Sequence, residues 1–475
     1  MNAARRCAER LWALAAPTSA GPGAPADPAL IALLERFYLQ LSQGEEPLRL
    51  QPDELASLVP LLGCLPLEIQ QGADGTPTLW SRRSWQRQQR LIADLVERLS
   101  QRGGLLVTGG AGSGKTSLVR ELLQQEGHRR VLLTAPTGKA AARLRGALAG
   151  FEPALAAGTL HRWLEATGGG QFRRHRQRPL AVDTLVLDEL SMVDSALMEA
   201  LLEALPSEVR LLLLGDPGQL PPIGGAGLLE PLQLRLQELN SPCWRQLQGS
   251  HRFNESTALG AFVTALRQGA PAQELQAQLE QLSATDNLHW HDLRQGFPAS
   301  VAKQLQNQRD CLGQLAQDPH CSDGELLSQL EQLMVLCPRR LGSLGVAALN
   351  ERFLGINSNR VQGWPPGTPL LITRNDSELN LANGDLGVVR PTGTGQLEAL
   401  IASADGPLRL PLALLPGLEP ALALTVHKSQ GSQAQRAVVV VANPQGLDPR
   451  LLYTALTRAR AGVDLICPPL DLEPV

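Results

Sequence analysis

The sequence predicts an α/β fold with parallel sheets, and three observations lead to this prediction. A glycine-rich stretch at residues 109–116 stands between an apolar run at 105–108 and a helical repeat of apolar residues. Largely apolar runs then alternate with helical spacing, at 131–133, 184–187 and 209–214. Such runs are typical of strands buried on both faces of a parallel sheet. The alternation returns around 334–353 and 438–456, which predicts a second α/β unit.

Composition and punctuation divide the chain into four predicted segments. The first has helical apolar periodicity and no motif that carries chemistry, so it is predicted to be a small helical docking domain. Two α/β units follow, and the second is interrupted by short strands punctuated by Pro, Gly and Thr, with Asn383-Gly384 as a hairpin signal. This interruption predicts an inserted small β-barrel. The segments are residues 1–80, 81–236, 237–363 with 419–475, and the insertion 364–418.

The bulk properties exclude several classes of protein. Hydrophobic residues make up 43% of the chain, and no apolar stretch approaches the roughly 20 residues needed to cross a bilayer. The seven cysteines show no paired spacing, which indicates reduced thiols and a cytoplasmic protein. The net charge of −3 argues against a broadly basic surface. Any nucleic acid must therefore be held in a groove or shared with partner subunits.

The glycine-rich stretch reads GGAGSGKT and fits the pattern G-x-x-x-x-G-K-[ST], whose backbone N–H groups surround phosphates. Lys115 within it is one of only four lysines, and Lys139 and Lys428 also lie in motif-like segments. A glycine-rich turn without function is the alternative, but the flanking strand and helix argue against it. We therefore predict a nucleoside triphosphate site formed by Gly109, Gly110, Ala111, Gly112, Ser113, Gly114, Lys115, Thr116 and Ser117.

Polar residues follow two further predicted strands. Asp188 and Glu189 end the strand at 184–187, where Asp188 and the Thr116 hydroxyl are predicted to hold Mg²⁺. Glu189 is predicted to orient and deprotonate the attacking water. Gln219 follows the strand at 211–214, and its amide can both donate and accept, so it can sense a γ-phosphate. A solvated acidic loop is the alternative for the two carboxylates.

Two arginines, Arg252 and Arg458, lie far from the phosphate loop in sequence but inside motif-like segments. Arginines brought across a domain interface can stabilise the charge of a transferred phosphoryl group. Taken singly, each arginine would more often be a surface ion-pair residue, but the motif in which each lies favours the role at the phosphate.

Six motifs occur in the order found in superfamily 1 helicases, and their residues resemble those of the 1B branch. They are residues 109–116 (GGAGSGKT), 134–141 (TAPTGKAA), 188–194 (DELSMVD), 215–222 (GDPGQLPP), 425–432 (TVHKSQGS) and 453–460 (YTALTRAR). Within that branch, residues 158–162 (GTLHR), 374–377 (RNDS) and 383–385 (NGD) resemble the RecD family, the alpha subunits of exodeoxyribonuclease V. The resemblance covers roughly residues 80–465 and is specific in its motifs.

The resemblance implies a fold and an activity. The fold would hold two RecA-like P-loop motor domains, with an SH3-like β-barrel inserted into the second. The activity would be ATP- and Mg²⁺-dependent movement 5′→3′ along single-stranded DNA at duplex ends, in a heterotrimer with RecB-like and RecC-like subunits that serves double-strand break repair by homologous recombination. No E-x-K nuclease element occurs in this lysine-poor sequence, so nuclease activity is expected on a partner.

The resemblance also implies roles for individual residues. Lys115 would bind the β- and γ-phosphates, Gln219 would couple the γ-phosphate to DNA, and Arg252 and Arg458 would reach the γ-phosphate from the second motor domain. Gly431 would belong to the nucleotide site. A glutamine before the phosphate loop would read adenine; Gln86, Gln88 and Gln89 all compete, and helix spacing favours Gln89. The DNA-contacting residues would be Pro136, Thr137, Gly138, His161, Thr425 and His427.

Two other functions remain open at this point. A free-standing 5′→3′ helicase keeps the enzyme without the complex, but the short N-terminal segment and modest charge argue against it. A catalytically silent P-loop subunit would serve only as structure, and the complete set of motif residues argues against that.

Overall fold

The computed structural model describes most of the chain. The described residues are 3–19, 28–43, 47–59, 62, 64–71, 75–125, 130–151, 154–168, 170–222, 226–250, 252–356, 361–376, 379, 381–393, 395–403, 406–415, 417–445 and 447–471. Ser377, part of one motif quoted above, lies outside them.

Helices and strands alternate through most of this length. The helices are α1 (Ala3–Ser19), α2 (Pro28–Gln43), α3 (Pro52–Leu58), α4 (Arg82–Gln101), α5 (Lys115–Gln125), α6 (Gly138–Ala147), α7 (Leu160–Trp163), α8 (Ser195–Ala204), α9 (Leu229–Glu238), α10 (Ala258–Arg267), α11 (Ala272–Glu280), α12 (Ala299–Gln317), α13 (Asp323–Leu330), α14 (Val346–Leu354) and α15 (Pro449–Leu456). The strands are β1 (Leu48–Arg49), β2 (Leu67–Gln71), β3 (Pro77–Ser81), β4 (Leu105–Thr108), β5 (Val131–Ala135), β6 (Ala156–Thr159), β7 (Ala166–Gly168), β8 (Gln171–Phe172), β9 (Thr184–Leu187), β10 (Arg210–Gly215), β11 (Trp244–Gln246), β12 (Leu288–Asp292), β13 (Leu333–Cys337), β14 (Pro369–Ile372), β15 (Leu386–Pro391), β16 (Leu397–Ser403), β17 (Gly406–Pro411), β18 (Leu418–Pro420), β19 (Ala423–Thr425), β20 (Ala434–Val440) and β21 (Ala459–Cys467).

The N-terminal segment combines helices with a sheet. Helices α1, α2 and α3 share a core with a three-stranded antiparallel sheet of order β1-β3-β2. The sequence-based prediction named helices only. Strands of two to five residues give too few alternating positions for a clear period-two signal, which is why the sheet escaped it.

A six-stranded parallel sheet of order β11-β4-β10-β9-β5-β6 forms the first α/β unit. Its central strands are buried, as the largely apolar runs predict. Apolar clusters pack on the sheet, with α4, α8 and α9 contributing to one and α5 and α6 to another. Because β11 pairs with the edge of β4, this sheet extends to Gln246, beyond the predicted boundary at residue 236.

A five-stranded parallel sheet of order β12-β21-β20-β13-β19 forms the second α/β unit. Strand β13 and helix α15 lie in the two stretches, 334–353 and 438–456, where the sequence predicts α/β alternation. The segment 255–330 is mostly helical, but it also contains β12. This strand pairs in parallel with β21 at the sheet edge.

The inserted segment forms a five-stranded antiparallel sheet of order β17-β16-β15-β14-β18. Leu312 and Leu326 of α12 and α13 pack against Val388 and Leu400 on this sheet. Among the described residues, no strand pairing joins β17 to β18, so the two edges of this sheet are not joined. Across all the residues that the structure describes, no helix combines the length and the apolarity needed to cross a membrane.

A buried carboxyl joins the insertion to the first unit. Asp385, 5% exposed, precedes β15 and its side chain lies against Gly138 at the start of α6. It accepts a hydrogen bond from the Ala382 N–H at 2.8 Å. Burial raises the pKa of Asp385 to about 6, and the Ala382 N–H and Lys139 offset only part of that effect. The acid therefore destabilises the fold when it is ionised.

We expect Asp385→Asn to stabilise the protein in a pH-dependent way. A carboxyl whose folded pKa is raised contributes stability at low pH that is lost as the pH rises through about 6. The variant should melt higher than wild type near about pH 8, by the equivalent of at most about 3 kcal/mol, and by only about a third of that near about pH 4.5. Thermal melts at both pH values measure this. Asp310→Asn, at an exposed carboxyl of α12, should show no such pH-dependent gain; a gain for Asp385→Asn that is equal at both pH values would contradict the assignment.

Candidate nucleotide and nucleic-acid site

The phosphate loop occupies the predicted turn between β4 and α5. Gly112 and Gly114 have φ angles of +78° and +88°, in the left-handed region that favours glycine. A Cβ on Gly112 would lie 2.7 Å from the Cβ of Arg252, so the second unit approaches this loop closely. Lys115 begins α5, and its Nζ donates to the carbonyl oxygens of Gly109 and Gly110 at 2.6 and 3.0 Å. The ammonium thus lies within the loop that would surround a phosphate.

The two predicted catalytic carboxylates follow β9 and are buried. Asp188 is 6% exposed and Glu189 7% exposed. Glu189 has a φ of 56°, a strained position for a non-glycine residue, and its N–H donates to Asp188 Oδ1 at 2.9 Å. Burial and the neighbouring Glu189 charge raise the pKa of Asp188. Burial alone would also raise the pKa of Glu189, but the cationic groups of Arg143, Arg458 and Lys115 outweigh it and lower that pKa.

Arg143 on α6 is a functional candidate that the sequence reasoning missed. Its Nη2 donates to Glu189 Oε1 at 2.6 Å and lies 3.8 Å from Asp188 Oδ2. The available signal was its position one helical turn after Lys139 in the 134–141 motif, which places the two side chains on one face of α6. That motif indicated DNA contact, so its extension towards the carboxylates was not anticipated.

The predicted γ-phosphate sensor and one predicted arginine meet across the two α/β units. Arg458, 2% exposed, donates from Nη2 to Gln219 Oε1 at 2.8 Å and from Nε to the Thr454 carbonyl at 3.1 Å. Gln219 Nε2 in turn donates to Asp216 Oδ2 at 3.3 Å. The Tyr453 hydroxyl also donates to that oxygen, at 3.0 Å. The strand end of the first sheet is therefore tied to α15 of the second unit.

Guanidinium groups from both units gather beside the carboxylates: Arg143 belongs to the first unit and Arg252 to the second. With the Gln433 amide oxygen turned towards them, Arg252 Nη1 and Arg143 Nη1 donate to it at 2.6 and 3.1 Å. Burial and the neighbouring charges of Arg143, Arg460 and Arg458 lower the pKa of Arg252. Concentrated positive charge of this kind is costly without a compensating anion, and a phosphate chain is such an anion.

Buried hydroxyls without partners lie in the same loops. Among the described residues, Ser113 Oγ, Thr134 Oγ1 and Ser191 Oγ have no hydrogen-bond partner. They belong to the phosphate loop, the end of β5 and the segment after Glu189. Together with Thr116 and Asp188, this donor set of hydroxyl and carboxylate oxygens fits a nucleotide with Mg²⁺, which prefers oxygen ligands.

The three competing glutamines of α4 differ in burial. Gln88 is 2% exposed; its Nε2 donates to the Gly227 carbonyl at 3.0 Å, and its Oε1 has no partner. Gln86 and Gln89 are exposed. Gln89 remains the prediction from spacing, and the burial of Gln88 adds an observation that the sequence did not provide.

The predicted DNA-contacting residues lie at the ends of strands in both units. The Thr137 hydroxyl caps α6 by accepting from the Ala140 N–H at 3.3 Å. A side chain at Gly431 would collide with that hydroxyl, so Gly431 lies beside Thr137. The Thr425 hydroxyl accepts from the Lys428 N–H at 3.3 Å. Burial lowers the pKa of both His161 and His427, which keeps them neutral at neutral pH.

Two known protein families match separate parts of the chain. Residues 93–225 match an AAA domain, and residues 420–466 match a UvrD-like helicase C-terminal domain. The first match spans the phosphate loop, the carboxylates and Gln219, and the second includes Arg458.

Among curated relatives, the RecBCD enzyme subunit RecD of Mycobacterium tuberculosis is 35% identical over 410 residues, covering 80% of this chain and 68% of the relative. The chain belongs to the RecD family. Its family members also include RecD of Haemophilus influenzae, 30% identical over 433 residues, which cover 75% of this chain and 65% of that protein. The ATP-dependent RecD2 DNA helicase of Deinococcus radiodurans is 32% identical over 385 residues, covering 78% of this chain and 47% of that protein.

Similar solved structures include that of Bacteroides Pif1 bound to single-stranded DNA. The Pif1 chain is 19% identical to this RecD-family chain, and the match covers 80% of this chain and 92% of the Pif1 chain. The TM-score of the match is 0.41, so the overall likeness is weak.

Proposed function

We propose that this RecD-family chain is an ATP-dependent DNA helicase that moves 5′→3′ along single-stranded DNA as the alpha subunit of a RecBCD-type exodeoxyribonuclease V. One observation carries the proposal. A buried arginine of the second unit, Arg458, bonds Gln219 of the first unit beside the phosphate loop. A nucleotide bound there touches both units, so its hydrolysis changes how they close on each other.

The residue roles follow from the geometry. Lys115 binds the β- and γ-phosphates, because its ammonium already lies among the loop carbonyls. Glu189 accepts the proton of the attacking water, and Arg458 and Arg252 neutralise charge that develops on the transferred phosphoryl group. Gln219 bonds Arg458 and Asp216 at once, so it reports γ-phosphate loss to the interface. Thr116 and Asp188 would hold Mg²⁺, which would supply neutralisation of the phosphate charge.

The DNA strand is proposed to cross both units at one end of their sheets. Pro136, Thr137 and Gly138 follow β5 of the first sheet, Thr425 ends β19 of the second, and His427 follows it. Thr137 and Gly431 are already adjacent, which brings these two strand ends together. Hydroxyls and backbone N–H groups can hold phosphates without net positive charge, which suits a chain of net charge −3.

The finer architecture is part of the same proposal. The two α/β units act as RecA-like motor domains, and the inserted antiparallel sheet acts as an SH3-like barrel on the exit path of the strand. The N-terminal helices and sheet dock RecB-like and RecC-like subunits in the cytoplasm. Similar proteins from several bacterial genera carry the name RecBCD enzyme subunit RecD, which supports the heterotrimer over the free-standing alternative.

We expect ATP-dependent unwinding of a duplex with a 5′ tail and not of a duplex with a 3′ tail, the direction that the resemblance to superfamily 1B helicases implies. A tailed-duplex assay, run with and without the RecB-like and RecC-like chains, measures direction and autonomy together. Unwinding only from 3′ tails, or an ATPase that DNA does not stimulate, would refute the helicase proposal. Full unwinding by the isolated chain would favour the free-standing alternative.

A further inference from the structure

The ion pair between Arg143 and Glu189 has no role in the proposed chemistry. Glu189 must accept a proton from water, yet its Oε1 already accepts a 2.6 Å hydrogen bond from Arg143 Nη2. The carboxylate is buried, and the Arg143 side chain keeps 33% of its surface exposed. A charge-assisted hydrogen bond at this distance is among the stronger ones in proteins, so it competes with water for the carboxylate.

Arg143 also contacts the second unit. Its other terminal nitrogen, Nη1, donates to the Gln433 amide oxygen, which Arg252 shares. One guanidinium therefore spans from the catalytic carboxylate of the first unit to the loop before β20. Any change in the closure of the two units alters this bridge.

Helix α6 connects Arg143 to the proposed DNA path. Thr137 caps the helix, and Arg143 lies six residues further along, about 9 Å at 1.5 Å per residue. Gly431 of the second unit lies against the Thr137 hydroxyl. A DNA phosphate that binds at Thr137 therefore acts on the end of a short rigid helix that carries Arg143.

We propose that Arg143 is a positioning residue that holds Glu189 away from the attacking water until DNA binds at the start of α6 and draws the guanidinium away. This inference rests on the proposed helicase function and deepens it: ATP hydrolysis is slow without DNA because Arg143 then restrains Glu189, the catalytic base. Gln219 couples the γ-phosphate to the interface between the two α/β units, whereas Arg143 acts on the catalytic base, Glu189.

The expected effect of Arg143→Ala is a loss of restraint. ATP hydrolysis without DNA should rise about tenfold, whereas the rate with saturating oligo-dT should stay within about twofold of wild type. The DNA stimulation ratio therefore falls. Arg143→Lys, which can still hold one carboxylate oxygen, should restore most of the restraint. Should Arg143→Ala melt early, Arg143→Gln carries the same test, because it keeps most of the side-chain packing.

Two further variants complete the test. Arg143→Ala combined with Glu189→Gln should return DNA-free hydrolysis to background, because the additional hydrolysis in Arg143→Ala requires the Glu189 carboxylate as the catalytic base. Arg145→Ala removes an arginine from another side of the same helix and should leave both rates unchanged. An Arg143→Ala rate without DNA that equals or falls below wild type overturns the inference. A wild-type ATPase that DNA does not stimulate would instead refute the helicase function itself.

Discussion

The Lys115→Gln variant is expected to lose at least about 100-fold of its DNA-stimulated ATP turnover, and strand movement with it. The lysine ammonium stabilises charge on the β- and γ-phosphates in a site with little water, where a neutral amide cannot replace it. The fold should persist, because the ammonium bonds only two loop carbonyls and an amide can still donate to them. Steady-state phosphate release and a tailed-duplex assay measure the loss.

Lys303→Gln is the matched control for that variant. Lys303 is exposed on α12, and its loss removes the same charge from the same small set of lysines. Its turnover and melting temperature should equal those of wild type. Wild-type turnover in Lys115→Gln, with the control also active, would remove the basis for the nucleotide site.

Arg458→Lys is expected to lower kcat about 10³-fold while ATP analogues still bind. The guanidinium bonds Gln219 and the Thr454 carbonyl at once, and a planar fork that does this cannot be replaced by a point charge. The loss should appear in kcat more than in the affinity for nucleotide, because the arginine acts on charge that develops during phosphoryl transfer. Single-turnover hydrolysis and equilibrium binding of a non-hydrolysable analogue separate the two.

Arg450→Lys is the control for this second variant. Arg450 lies on α15 and pairs with Glu230 of the first unit at 2.8 Å, so it crosses the same interface at a distance from the carboxylates. Its kcat should stay within about twofold of wild type, since partly exposed ion pairs contribute little. If Arg450→Lys were as impaired as Arg458→Lys, the loss would reflect the interface and not the chemistry.

Local patterns predicted the elements that hold the site. The strands before the phosphate loop, before Asp188 and before Gln219 are central and buried, so their sequences are largely apolar. Edge elements were harder to predict. Strand β12 alternates Leu288, His289 and Trp290 within a helical region, and only its pairing with β21 makes it a strand.

The site shows the same division. The sequence predicts a role for four residues that each belong to a short motif at the end of a strand: Lys115, Asp188, Glu189 and Gln219. It does not reveal that Arg143 holds Glu189, nor that Gln433 joins Arg143 to Arg252. Those contacts join segments 46 and 290 residues apart in the chain, and no local spacing encodes them.

The sequence by itself therefore determined the kinds of chemical groups and the strand ends that carry them, since phosphate loops and buried parallel strands have strict local requirements. Only the tertiary structure decided which groups meet: Arg458 with Gln219, Tyr453 with Asp216, and Arg143 with Glu189. The physical reason is that the first two pairs form only when the two sheets close on one another, whereas the third joins α6 to the end of β9 within the first unit. Both kinds of contact depend on packing and burial across distant parts of the chain.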